Sequence, residues 1–159
     1  MPYPIEKKLV IAVSTSALFD MEESDSIYRV KGIDAYRKYQ ERMINEPLGK
    51  GVAFPFIKRI LNLNNSFPED KPIEVVIFSK NSPESGLRAF RSIAHYNLDI
   101  SRACFSSGKS NFQYLPAFNA SLFLSANPED TEKAIRDGMF ALISPVMTLT
   151  DGRCVAIIR

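Results

Sequence analysis

The chain has 159 residues, 45% hydrophobic and 24% charged, with a formal net charge of +2. That length suits one domain with a real core. The basic residues are scattered, with no basic run and no basic–aromatic stripe, so nucleic acid is not an implied partner, and no apolar stretch is long enough to imply a membrane.

The first element is a strand. MPYPIEKKLVIAVSTSALF loosely has the form of a leader, two lysines before an apolar run, but the run is short, β-branched and broken by Ser14, Thr15 and Ser16. Residues 8–13 instead read as a central parallel strand, apolar on both faces with a polar stop. The long stretch 19–51 that follows holds charges, tyrosines and Asn45-Glu46-Pro47-Leu48-Gly49, and reads as a flap or small cap inserted after strand one. Within it, Ile33, Tyr36, Gln40 and Met43 predict a helix over 31–44, while Asp20, Glu22, Glu23 and Asp25 read as solvated acids. Pro55 opens another helix, with Phe56, Ile57, Ile60 and Leu61 as its apolar stripe.

Residues 74–78 (EVVIF) predict the second strand, stopped by Ser79-Lys80-Asn81. Ser82-Pro83-Glu84 starts a helix with Leu87, Phe90, Ile93 and Ala94 at helical spacing. Its end carries His95, the sole histidine, which reads as a packed or dipole-facing residue rather than a base. A short strand over 103–105 precedes Ser106-Ser107-Gly108-Lys109-Ser110, and another over 121–124 precedes Ser125-Ala126-Asn127. Asn127-Pro128-Glu129-Asp130 opens a helix ending near Gly138, and a fifth strand covers 139–143. Asp151-Gly152 reads as a hairpin turn at the C-terminus. Cys104 and Cys154 lack metal-ligand spacing and read as reduced thiols of a cytoplasmic protein.

The alternation predicts an α/β fold: a Rossmann-like parallel sheet flanked by helices, with the flap at 19–51, a C-terminal hairpin, and one domain over 1–159. Ligands of such sheets bind at the carboxyl ends of the strands. The polar clusters there supply hydroxyls, lysines and helix N-termini, which suit phosphate. Gly108-Lys109-Ser110 is not a P-loop, because the glycine required five residues earlier is Ala103.

Four segments carry a family resemblance: AVSTSALFDMEE, INEPLGKGVAFPFIKRIL, VIFSKNSPESGLRAFRSIAHYNLDI and SSGKSNFQYLPAFNASLFLSANPEDTEKAI. In this order the chain resembles the cytosolic 5′-nucleotidase family. The resemblance implies a haloacid-dehalogenase-like fold, magnesium dependence in active members, and hydrolysis of nucleoside 5′-monophosphates. It also implies two related halves in tandem, of which this chain resembles the first, with the catalytic Asp-x-Asp motif in the second. Ile158 stands about where that motif's nucleophile would be expected.

Against the superfamily's motifs, Ser14 takes the place of the nucleophilic aspartate and Ser16 that of the acid/base aspartate. Ser79 matches the phosphate-binding hydroxyl, Lys109 matches the lysine that neutralises phosphate, and Ser125 and Ala126 replace the acidic pair that holds magnesium. The resemblance thus implies no catalytic residue and no metal ligand on this chain. Candidate phosphate- or nucleotide-binding residues are Ser14, Ser16, Ser79, Lys80, Asn81 and Lys109; for the serines, capping of exposed backbone groups is the competing role. The expected functions are a degenerate half that binds phosphate or a nucleoside monophosphate, an interaction module that forms a homodimer or pairs with a catalytic half, or a phosphatase using acids from the flap or a partner chain.

Overall fold

The computed structural model describes residues 5–81 and 83–143. The elements are β1 (Leu9–Val13), α1 (Thr15–Leu18), β2 (Phe19–Asp20), α2 (Glu22–Arg42), β3 (Gly49–Lys50), α3 (Phe54–Asn62), β4 (Ile73–Ser79), α4 (Pro83–His95), β5 (Arg102–Phe105), β6 (Ala120–Ser125), α5 (Pro128–Arg136) and β7 (Ala141–Ile143). The predicted hairpin at Asp151-Gly152, Cys154, Ile158 and the capping serine at position 82 lie outside the described residues.

The sheet has five strands in the order β5-β4-β1-β6-β7. Every pairing in it is parallel. β1 is central, with Val13 opposite Ile77 of β4 on one side and Leu124 of β6 on the other. Both faces of the sheet are covered, which is why β1 and β4 read as continuous apolar runs. Ile11, Val13, Val75 and Ile77 pack with Leu18, Ile57 and Ile93 on the side of α1, α3 and α4. Val10, Ala12, Val76, Phe78 and Phe123 pack with Leu115 and with Ala134 of α5 on the other. Each such buried Val, Leu, Ile or Phe side chain contributes about 1.5–3 kcal/mol relative to exposure.

The flap leaves and returns through a short antiparallel ribbon, with Phe19 opposite Lys50 and Asp20 opposite Gly49. A side chain at Gly51 would meet the backbone of α1 and β2, its Cβ falling 2.5 Å from Ala17 O and 2.7 Å from Phe19 N. The base of the flap closes only because that position is bare.

Three helix readings change. The flap helix begins at Glu22 rather than near residue 31. Asp20 Oδ1 accepts the Glu22 N–H at 3.0 Å, and Glu22, Glu23 and Asp25 occupy the first turn, where negative charge favours the helix dipole. These acids are helix-starting groups, not merely solvated ones. The helix breaks at Gly32 (φ 79°, ψ −176°), which turns Ile33 outward while Tyr36 and Gln40 stay buried. In α3, Phe56 is exposed, and Phe54, Ile57 and Leu61 carry the buried face. In α4, Leu87 and Ala94 face solvent, and the buried face is instead Ser85, Arg88, Ala89, Ser92 and Ile93. Gly86 lets α4 approach β5, since a Cβ there would fall 2.5 Å from the Phe105 ring. α5 ends at Arg136, and Gly138 takes the left-handed conformation (φ 83°) that closes it.

Candidate functional site

The carboxyl ends of β1, β4, β5 and β6 each end in a polar loop. Ser14 caps α1: its Oγ accepts the Ala17 N–H at 3.2 Å and lies 3.3 Å from Ser16 Oγ. Ser79 Oγ accepts the Asn81 N–H at 3.2 Å. Ser125 Oγ accepts the Asn127 N–H at 3.1 Å. These serines are 7%, 5% and 0% exposed, while Ser16 stands in solvent. Each buried hydroxyl therefore satisfies a backbone donor at the turn out of its strand, as serine does in such turns. A hydroxyl that accepts an N–H keeps its own proton to donate.

The loop after β5 is pinned onto the loop after β4. Ser106 N–H donates to Ser79 O at 3.1 Å, Ser107 N–H to Asn81 O at 3.3 Å, and Gly108 N–H to Lys80 O at 2.6 Å. The turn passes through left-handed Ser107 (φ 48°) and Gly108 (φ 85°), and Ser106 Oγ donates to Lys109 O at 2.5 Å. Ser79, Lys80, Asn81 and Lys109 thus lie on two loops stitched together. On the other side, Ser14 N–H donates to Leu124 O at 2.8 Å, which ties the end of β1 to the end of β6. Ser14 and Ser16 form their own pair, and the strand register sets them beside the Ser79 group rather than in contact with it.

Charge is distributed unevenly over these loops. Lys109 is exposed and has no ion-pair partner among the described residues. Lys80 is not open in the same way: its ammonium contacts Asp130 Oδ1 in the first turn of α5. Asp130 is therefore an acid at the strand ends that motif comparison missed, because it lies on a helix rather than at a strand's end. Two buried polar atoms in these loops also have no hydrogen-bond partner, Thr15 Oγ1 beside the serine pair and Asn111 Nδ2 shortly after Lys109. No sequence signal marks them, since their burial comes from packing.

A hard dication requires a shell of carboxylate and carbonyl oxygens. At the strand ends the Ser14 and Ser125 hydroxyls already accept backbone N–H groups, Ala126 offers no side-chain donor atom, and Asp130 is engaged by an ammonium. Among the described residues no three His, Cys, Asp or Glu side chains gather as a metal-binding group. The described residues at the strand ends therefore do not fit magnesium, and no chemical step is derived through it.

The flap sits to one side, held by α4. Arg88 is buried, donating from Nε to Glu46 O at 2.9 Å and from Nη1 to Gln40 Oε1 at 3.2 Å, with its guanidinium 5.7 Å from the Tyr39 ring centroid. Burial pushes the Tyr39 phenol above its ordinary pKa, a hydrogen bond with Glu23 adds to this, and Arg88 opposes it. Asp25 is raised too, by burial first, with Asp20 adding and Arg29 opposing. His95 ends α4 in solvent, edge-on to the Tyr96 ring at 4.9 Å between centroids. Cys104 is a free, half-buried thiol whose pKa is raised by burial. A cavity of about 240 Å³ bounded by Leu61, Asn64, Lys71, Asn97 and Asp99 opens at the opposite end of the sheet and is separate from the strand-end loops. No helix among the described residues is long and apolar enough to cross a membrane.

The fold and these loops can be set beside known proteins. No solved structure matches the chain. It is 32% identical over 145 residues to cytosolic 5′-nucleotidase 1B of Homo sapiens, an alignment covering 87% of this chain and 24% of that protein. The chain therefore spans about a quarter of the length of this curated relative. Residues 1–150 match the 5′-nucleotidase family, so the chain belongs to that family.

Proposed function

We propose that this chain is a non-hydrolytic, phosphate-binding part of a 5′-nucleotidase-family protein, acting in the cytoplasm with a nucleoside monophosphate or phosphate as ligand. One observation carries the reading: Ser14 and Ser79, at the ends of adjacent strands, each accept a backbone N–H and keep a hydroxyl proton that can be donated. Donors suit a phosphate dianion, and the exposed Lys109 adds charge. Hydrolysis needs an ionised carboxylate to attack phosphorus and an acid to protonate the leaving group, and serine at 14 and 16 supplies neither. A serine nucleophile would need a neighbouring base, and its nearest side-chain partner is another serine.

Two measurements test this. Phosphate release from nucleoside monophosphates with magnesium is expected to equal that of Lys109→Ala; release clearly above it restores the phosphatase reading. Millimolar nucleoside monophosphate is expected to raise the melting temperature of the wild type by a few degrees and to leave Lys109→Ala unmoved, whereas no shift in either removes the binding reading. A second reading, an interaction module that forms a homodimer or pairs with a catalytic half, is favoured by the apolar apex of α2, where Tyr28, Val30 and Ile33 are 51%, 77% and 51% exposed. A strictly monomeric species by light scattering counts against the homodimer.

A further inference from the structure

We infer that Asp130 is a built-in competitor for the anion: its carboxylate holds the Lys80 ammonium, and a phosphate gains that lysine only by displacing it. This rests on the reading of the strand ends as a phosphate site, and it adds a regulator that the motif positions do not contain.

The geometry begins with the strand order. β4 and β6 flank β1, Lys80 follows β4, and Asp130 lies in the helix that follows β6. The Lys80–Asp130 pair therefore reaches across the carboxyl end of β1, where Ser14 turns the chain. Side-chain alternation agrees. Val76 and Phe78 of β4 pack on the face that carries Ala134 of α5, and Lys80 continues that alternation toward the same helix. The two partners are not equally accessible: the lysine side chain is 36% exposed and the aspartate side chain 11%. An incoming anion meets the ammonium first, with the carboxylate behind it.

Charge then sets the direction of the effect. While Asp130 neutralises Lys80, Lys109 is the cation left without an ion pair on these two stitched loops. A phosphate dianion is best matched by both lysines, and the carboxylate opposes it twice, by occupying Lys80 and by repelling the phosphate directly. The N-terminal turn of α5 favours negative charge, and Asp130 already occupies that turn, so the phosphate would compete for the same field. The opposite role, Asp130 as a strut that orients Lys80 toward the ligand, predicts the opposite sign.

The test is isothermal titration of inorganic phosphate, and separately of a nucleoside monophosphate, into the wild type, Asp130→Asn, Lys80→Gln, Lys80→Gln/Asp130→Asn and Lys109→Ala. Asp130→Asn is expected to bind phosphate roughly tenfold more tightly than wild type, in a partly exposed site where screening limits the gain. The double variant is expected to lose that gain, because Lys80 is its source. If wild type binds, Lys109→Ala does not, and Asp130→Asn binds equally or more weakly, the competitor role is wrong while the phosphate reading stands. If neither wild type nor Asp130→Asn binds, both fall. Should Asp130→Asn fail to give a cooperative thermal transition, Asp130→Ser, which keeps a side-chain acceptor in the first turn of α5, carries the same expectation.

Discussion

In the sheet, β4 buries every residue from Ile73 to Ser79; in the flap, α2 runs for 21 residues and buries Ser24, Tyr36, Tyr39 and Gln40. The sheet is held by apolar faces on two sides. The flap anchors Phe19, Met21 and Leu48 in that core, and beyond this base it is held by directed polar contacts from α4 and the residue after it: Arg88 to Glu46 O and Gln40, Leu48 N–H to Ser92 Oγ at 2.9 Å, and Tyr96 OH to Leu48 O at 2.8 Å. Apolar burial is non-directional and resists small shifts, whereas a polar seam is weak once any partner is lost. The flap should therefore open without the sheet, and the sheet should not open without the flap.

The largest effect tests the sheet. Ile77 is fully buried in the strand next to β1, and Ile77→Ala leaves a cavity costing about 2–5 kcal/mol. Urea denaturation followed by far-UV circular dichroism should show one transition at a lower midpoint. A separate early transition of the sheet would contradict the assignment of stability to it. Next is the hinge between the regions. Gly51→Ala sets a methyl against the backbone of Ala17 and Phe19, and the forced shift costs about 1–3 kcal/mol. Gly49→Ala, whose Cβ would meet only the Asp20 side chain at 3.4 Å, is the matched control and should lose clearly less.

Arg88→Ala sharpens the comparison most directly. It removes the donors to Glu46 O and Gln40 Oε1 in a buried seam, which costs about 1–3 kcal/mol. The loss should be local. Hydrogen exchange is expected to quicken over 36–48 and stay slow in β1 and β4. Equal acceleration in both regions would show that flap and sheet open together.

What the sequence revealed divides along the same line. The strands were legible because residues buried on both faces leave continuous apolar runs, as at 9–13 and 73–79. The helix within 19–51 was legible over 31–42, but its start was not. α2 has almost no apolar stripe, and its start is set by Asp20 and the acids after it. In α4 the apparent stripe through Leu87 and Ala94 misled because the buried face uses Arg88 and Ser92, whose burial makes sense only once Gln40 and Leu48 are brought against them. At the strand ends, serine at 14, 16 and 125 and alanine at 126 could be read directly. The Lys80–Asp130 pair could not, because its members are 50 positions apart and meet only through the strand order.

The smallest effect concerns the apex of the flap. Gly32 has φ 79° and ψ −176°, a region nearly reserved for glycine, with open space where a Cβ would stand. Gly32→Ala therefore meets backbone strain but no clash. Held in place, that strain costs about 1–3 kcal/mol. The two helical stretches on either side allow another outcome, since alanine favours a continuous helix and the apex can straighten. Straightening offsets the loss by about 0.5–1 kcal/mol, the preference for alanine over glycine within a helix, at the cost of rotating Tyr28 and Val30 relative to Tyr36. The expected result is a small fall in melting temperature together with a stronger helical signal at 222 nm. A loss as large as that of Ile77→Ala would mean that the kink is bound into the core, and the contrast between a self-sufficient sheet and an appended flap would fail.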